Sequence, residues 1–253
     1  FVTFDYLALK NLVLPKTAAM LCFGAFLLAF IIKVPMFPLH TWLPDAHVQA
    51  PTGGSIILAA VLLKLGTYGY IRFCMGMFAG PAWSAAANLA GLAVGGGILY
   101  GALVAWKQDD VKRLVAYSSV AHMGFVMLGL FAATRTGVEG ALLQMVNHGI
   151  STGALFLLVG VIYDRAHTRE ISAFGGLGMQ MPRYFSFFSF ALFAALGLPG
   201  LSGFVSEAMI FIGAFPAFRT ITIISALGII IGAAYVLWML QRVFLGPKND
   251  KWD

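Results

Sequence analysis

Long apolar stretches separated by short polar connectors set the pattern of this chain. They fall at about 17–40, 53–75, 82–106, 112–133, 138–163, 182–215 and 219–245. Each is long enough to cross about 30 Å of hydrocarbon as a helix rising about 1.5 Å per residue. The stretches do not alternate apolar and polar positions over about ten residues, which argues against barrel strands. The longest connector, residues 164–181, reads DRAHTREISAFGGLGMQM, and no stretch reads as a soluble domain. The expectation is an all-α polytopic membrane protein of about seven spans, with residues 1–253 forming a single transmembrane domain.

Two stretches break the pattern. The first contains FIIKVPMFPLHTWLPDAHVQAP, in which Lys33, Pro35, Pro38 and His40 interrupt an apolar run. The sixth is too long for one span and contains LGLPGLSGFVSE. Proline removes a backbone donor and glycine loosens the helix, so breaks are expected near 30–40 and 197–207. Paired, interrupted apolar segments point to a transport site built from discontinuous helices. They lie about 165 residues apart with four runs between, a spacing compatible with a repeat of five helices. Were the first helix to persist, His40 would share a face with Lys33, seven positions away. His40, Asp45 and His47 cluster in HTWLPDAH as metal ligands do, but Pro44 and Asp45 read more simply as a turn closing the span. No metal is expected there, and His47 has no assigned role.

Composition agrees with the membrane. The chain is 60% hydrophobic and 10% charged, with a mean hydropathy of +0.88. Soluble domains carry about 25% charged residues. The net charge of +6 lacks the basic runs and interleaved aromatics of a nucleic-acid surface, so no nucleic acid is expected. Its positives lie between the apolar runs instead. One set of alternate connectors holds Lys10, Lys16, Arg72, Arg135 and Arg219. The other holds Lys107, Lys112, Arg113, Arg165, Arg169, Arg183, Arg242, Lys248 and Lys251. Nine against five places the second set on the cytoplasmic side. Cys22 and Cys74 lie far apart outside any metal-binding spacing and read as small core residues. Gly91, Gly95 and Gly96 suit close helix packing, and GLAVGGG follows no strand, so it is not a phosphate loop.

Five ionisable residues fall inside apolar runs: Lys33, Lys64, His122, His148 and Glu207. A charge at the bilayer centre costs at least about 2.5–3.5 kcal/mol, so each requires a partner, a wet cavity or a neutral form. Any one of them alone reads equally as a structural ion pair or a satisfied core histidine. Spread over five runs, they read together as a set that exchanges protons. Glu207 is expected to pair with a lysine rather than to cap a half-helix. Tyr117, Ser118, Ser119 and Asn147 are available either as hydrogen-bonding links or as interhelical packing contacts.

Four longer motifs carry a resemblance: KVPMFPLHTWLPDAHVQAPTGGSIILAAVLLKLGTYGYIRF, DVKRLVAYSSVAHMGFV, GALLQMVNHGISTGALFLLVGVIYDRAHTREI and LPGLSGFVSE. In this order, over almost the whole chain, they resemble the antiporter-like membrane subunits of respiratory complex I, most closely the M type (subunit 4 in mitochondria). The resemblance implies an inverted-repeat bundle of about fourteen helices, of which this chain matches the part from just before the broken seventh helix to after the thirteenth. Lys33 then matches the seventh-helix lysine, whose partner glutamate comes from the fifth helix. Lys64 matches the central lysine of the eighth, His122 and His148 match polar relay positions, and Glu207 matches the acidic residue of the broken twelfth. A lysine usually stands there in L- and N-type paralogues, so Glu207 and YDRAHTRE favour the M type. The sequence opens on Phe1 without an initiator methionine or a cleavable leader. The expectation is a chain starting partway through a longer protein, with the fifth-helix glutamate before Phe1.

The function implied is proton translocation within an NADH:quinone oxidoreductase, driven by quinone reduction elsewhere. His40, Tyr117, Ser118 and Asn147 are expected to support the main line, with His40 receiving what Lys33 releases. No cofactor is expected in this chain, since FMN, iron–sulfur clusters and quinone would belong to partner subunits. The implied partners are the L- and N-type subunits and the lipid bilayer, and the implied location is the bacterial inner membrane rather than a mitochondrial inner or thylakoid membrane. Two other readings stay open: a subunit of an Mrp-type cation/proton antiporter or membrane-bound hydrogenase, and a purely structural spacer of a membrane arm.

Overall fold

The computed structural model describes residues 3–247. Lys248 and Lys251 lie outside the described residues. After a short helix α1 (Tyr6–Lys10) come α2 (Lys16–Lys33), α3 (Trp42–Gln49), α4 (Thr52–Met75), α5 (Ala79–Trp106), α6 (Val111–Ala132) and α7 (Arg135–Ala166). A loop with a short helix α8 (Leu177–Gln180) leads to α9 (Pro182–Leu196), α10 (Ser202–Ala214) and α11 (Arg219–Leu245). Among the described residues six helices are long and apolar enough to cross a membrane: α2, α4, α5, α6, α7 and α11. The sixth apolar stretch of the sequence is divided between α9 and α10. At about 1.5 Å per residue neither is long enough alone to cross about 30 Å.

Helix α6 is the axis of the bundle, with 89% of its most apolar window buried against α3, α5, α7 and α10. It begins where Asp110 accepts from the backbone N–H groups of Lys112 (2.7 Å) and Arg113 (3.0 Å), which are otherwise orphaned at a helix start. Thr134 does the same for α7 by accepting from Gly137 N–H, and its own hydroxyl donates to the Gly213 carbonyl at 2.9 Å. One apolar cluster gathers Leu63, Tyr70, Val126, Phe131 and Ile210, and a second gathers Phe156, Phe188, Met239 and Phe244.

The two breaks differ from each other. Helix α2 stops at Lys33 rather than near residue 40, because Pro35 and Pro38 have no N–H to continue the ladder. The indole of Trp42 donates to the freed carbonyl of Ile32 at 3.0 Å, satisfying a group that hydrocarbon would leave unpaired. Beyond His40 the chain forms the helix α3 instead of the turn expected from Pro44 and Asp45. Pro44 lies in its first turn, where the missing N–H costs nothing. Lys33 and His40 therefore do not share a helical face. The second break runs from Gly197 to Leu201, with positive φ at Gly197 (76°) and Gly200 (99°), and the chain restarts as α10.

Polar contacts gather the helix ends in the division that the connector charges predict. On one side Tyr6 donates to the Arg72 carbonyl (2.8 Å), near the end of α4. On the other, Arg113 pairs with Asp45 (2.6 Å), Lys112 donates to the Ala50 carbonyl (2.8 Å), and Arg169 donates to the Val48 carbonyl while contacting Asp110 at 3.3 Å. Lys112 and Arg169 hold the carboxy-terminal end of α3, and Arg113 holds its first turn, against the start of α6. Two packing expectations are corrected. Cys74 is buried but Cys22 is exposed, since it lies on the outward face of α2. Gly91 and Gly95 face open space, whereas Gly96 lies against Phe37, and Gly97 meets Gly124, where an added Cβ would be 3.1 Å from the Gly124 Cα.

Helices α7 and α10 pack closely at Gly140, where a Cβ would come within 2.8 Å of the Ile210 backbone nitrogen. Backbone cannot yield as a side chain does, so Gly140→Ala is expected to destabilise the chain by about 1–3 kcal/mol. Gly91→Ala, with nothing within 4 Å, is the neutral control. Thermal unfolding of both variants in detergent measures the difference.

Candidate functional site

Four of the five ionisable residues found in apolar runs come together across α4, α6, α7 and α10. Lys64 stands in α4 just after a π-helical turn, Leu58–Leu62. That turn presents the Ala59 carbonyl to the Lys64 ammonium at 2.5 Å. Such wide turns recur at functional positions because they leave backbone groups out of the regular ladder. The ammonium also meets Nδ1 of His148 on α7 at 2.6 Å. Gly149 makes the approach possible, since any side chain there would come within 2.9 Å of the Ala60 carbonyl. An ammonium has donors only, so with Lys64 charged the bond requires His148 Nδ1 to accept.

His148 in turn faces His122 on α6, with ring centroids 5.7 Å apart. Nδ1 of His122 lies 3.5 Å from Oε1 of Glu207 on α10, longer than a formed hydrogen bond. His122, His148 and Glu207 are all buried. The expected lysine partner of Glu207 is corrected: its partners are His122 and the amide of Gln144, whose Nε2 approaches Oε1 at 3.4 Å. The break between α9 and α10 accommodates the carboxylate: a Cβ on Gly197 would lie 2.7 Å from Oε2. The four groups thus form a line of nitrogen and oxygen atoms through the bundle, and Lys64 also lines a cavity of about 710 Å³ between α4 and α7.

Lys33 is not joined to this line. It ends α2, half-buried, and no hydrogen bond or ion pair reaches its ammonium from the described residues. Its Cβ sits beside Gly66, so the end of α2 packs closely on α4 within one helical turn of Lys64. His40 is surrounded by rings, with Phe37 at 5.7 Å, Tyr100 at 5.2 Å and Tyr117 at 6.4 Å between centroids, and both its ring nitrogens lack hydrogen bonds. No hydrogen bond links it to Lys33. Asp45 turns to Arg113 and His47 stacks face to face on Phe156 at 4.3 Å, so the trio in HTWLPDAH does not converge as a metal site.

Of the supporting residues, Asn147 donates to the Ser202 carbonyl (2.9 Å) and Ser206 hydroxyl (3.1 Å), tying α7 to the start of α10. Ser118 donates to the Val115 carbonyl and lies beside Tyr235; Ser119 also donates to Val115. Sequence reasoning missed Gln144 and Ser206, which hydrogen-bond each other at 2.5 Å beneath Glu207. A signal existed for Gln144: it precedes His148 by four positions and therefore shares its helical face. Nothing local marked Ser206, because only the break brings it opposite α7.

The fold recurs in known proteins. Residues 2–233 match the family described as NADH:quinone oxidoreductase/Mrp antiporter, TM. The chain belongs to that family of membrane proteins. NADH-quinone oxidoreductase subunit M of Rhodobacter capsulatus is 52% identical over 89% of this chain and 44% of its own length. NAD(P)H-quinone oxidoreductase chain 4 1 of Nostoc is 47% identical over 99% of this chain and 48% of its own. A chain of respiratory complex I from Thermus thermophilus superposes with a TM-score of 0.93 at 37% identity, covering 98% of this chain and 53% of that one. A chain of the Mrp complex from Dietzia superposes at 0.90 with 22% identity, over 98% and 46%, a likeness of fold. The M-type resemblance and the antiporter-like fold are thus borne out, as is a multi-pass protein of the bacterial inner membrane. The chain spans about half the length of the curated relatives it matches.

Gly197 generates the clearest local test. An alanine there is strained by the positive φ and displaces the Glu207 carboxylate. Gly197→Ala is expected to cost about 1–3 kcal/mol and to shift the carboxyl infrared band that Glu207→Gln removes. Infrared difference spectra of the two variants check it.

Proposed function

We propose that this chain carries protons across the bacterial inner membrane as the M-type, antiporter-like part of an NADH:quinone oxidoreductase. The observation that supports it is the contact of Lys64 with His148, continued through His122 to Glu207. Lys64 and His148 share one hydrogen bond, so a proton leaving the ammonium has an acceptor already in place. A proton arriving on His148 then repels one at His122 and is attracted by Glu207. Two unit charges about 4 Å apart interact by about 4 kcal/mol at an effective dielectric of about 20, enough to drive such a shift. Each transfer thereby sets the field for the next, and no bond other than N–H and O–H is made or broken.

In this reading Lys33 is the entry of the line, and its counter-charge comes from outside the described residues. Gln144, Asn147, Ser118 and Tyr117 orient the stations; His40 sits beside the first break. Redox chemistry, with FMN, iron–sulfur clusters and quinone, belongs to partner subunits, and the L- and N-type antiporter-like subunits are the neighbours in the membrane. Quinone reduction acts on this chain by altering one charge at the end of the line. The membrane-arm assignment is favoured over an Mrp-type antiporter by the identity to subunit M proteins and by Glu207 in place of a lysine.

In assembled complexes containing the full-length subunit, Lys64→Ala and Glu207→Gln are each expected to slow proton translocation about tenfold or more, a barrier of about 1.4 kcal/mol or more. Lys64→Arg keeps the charge but cannot release a proton, so it is expected to fail as well. Translocation measured in vesicles, with assembly verified, decides it: normal pumping by the alanine variant overturns the relay and leaves a structural spacer.

A further inference from the structure

At the cytoplasmic ends of α5 and α11, a separate recess of about 440 Å³ is lined by Leu103, Trp106, Lys107, Asp109, Trp238 and Arg242. It is remote in character from the proton line: it opens outward, and its charges are exposed. The Arg242 guanidinium lies over the Trp238 ring, 4.9 Å from its centroid, which fixes its direction without neutralising it. No ion pair within 4.0 Å reaches Lys107 or Arg242 among the described residues, so two cations stand against one carboxylate. The recess lies where the final π-helical turn, Gln241–Leu245, widens the end of α11.

We infer that this recess binds the headgroup of an anionic phospholipid, with phosphatidylglycerol as the best chemical fit. Lys107 and Arg242 supply charged donors for a phosphodiester. Asp109 repels a second anion but accepts from hydroxyl groups, which a glycerol headgroup offers and a choline does not. Trp106, 42% exposed, and Trp238 present amphipathic rings of the kind that settle at the headgroup level. Leu103 (52% exposed) lines the recess, and Leu237 (49%), next to Trp238 in sequence, is exposed on the other flanking helix; they offer acyl chains apolar surface. That surface is what distinguishes a lipid from free phosphate, which shares the same anionic chemistry but gains nothing from it. The side agrees as well, since juxtamembrane cations attract the anionic lipid of the cytoplasmic leaflet.

The test uses the full-length subunit in native membranes or nanodiscs, with photoactivatable phosphatidylglycerol or phosphatidylcholine at equal mole fraction. Peptide mapping is expected to find the glycerol lipid crosslinked to residues 103–109 and 237–242 at least several-fold more than the choline lipid. Lys107→Gln with Arg242→Gln is expected to erase that preference, while Arg242→Lys retains most of it. Equal labelling by the two lipids, or no loss in the glutamine variants, overturns the site. Displacement of the label by millimolar inorganic phosphate overturns the lipid assignment in favour of a free-anion site. Proton translocation is read separately in the same variants and is expected to be unchanged, so failure here and failure of the relay are distinguishable.

Discussion

The hydrogen bond from Lys64 to His148 is the constraint around which the rest of the bundle is arranged. An ammonium at this depth is tolerable only with acceptors beside it, and it has two: a ring nitrogen and a backbone carbonyl. Both depend on backbone geometry rather than on the lysine itself. The π-helical turn presents Ala59, and Gly149 lets α7 approach α4 closely enough for the imidazole to arrive. A regular α-helix in the first place, or any side chain in the second, would leave the charge with one acceptor or none.

The two breaks solve related problems with different means. At the first, backbone groups released by Pro35 and Pro38 are recovered by neighbours, above all the Trp42 indole on Ile32, and α3 is then held by Arg113 at its first turn and by Lys112 and Arg169 at its far end. Interfacial cations thus position the segment that follows the break. At the second, the break itself makes room: Gly197 has no side chain where the Glu207 carboxylate lies, and Asn147 bonds the exposed start of α10 to α7. One break sets a helix direction, and the other builds a cavity for a charge.

Charge has two separate uses in this molecule. Inside, a few ionisable groups lie close to one another and largely buried. At the ends of α5 and α11, cations remain exposed beside tryptophan and leucine, a setting that suits lipid headgroups. The family match covers residues 2–233, which include the inner line, and the same architecture is shared with the Mrp chain at low identity.

Features of this chain were legible in the sequence to the extent that their causes are local. Membrane embedding, the helical spans and the five costly ionisable residues are properties of local composition, because hydrocarbon penalises each residue by itself. Pro35, Pro38 and LPG announced both breaks for the same reason: a missing N–H acts locally. Partnership was not local. That Glu207 meets His122 instead of a lysine, that Lys33 stands apart, and that Gln144 and Ser206 complete the carboxylate's surroundings depend on which helices cross and at what distance. HTWLPDAH shows the limit most plainly, since its residues favour a turn in isolation but form α3 once three cations and the start of α6 hold it. Local chemistry decided where charge was expensive, and only helix packing decided which group answered it.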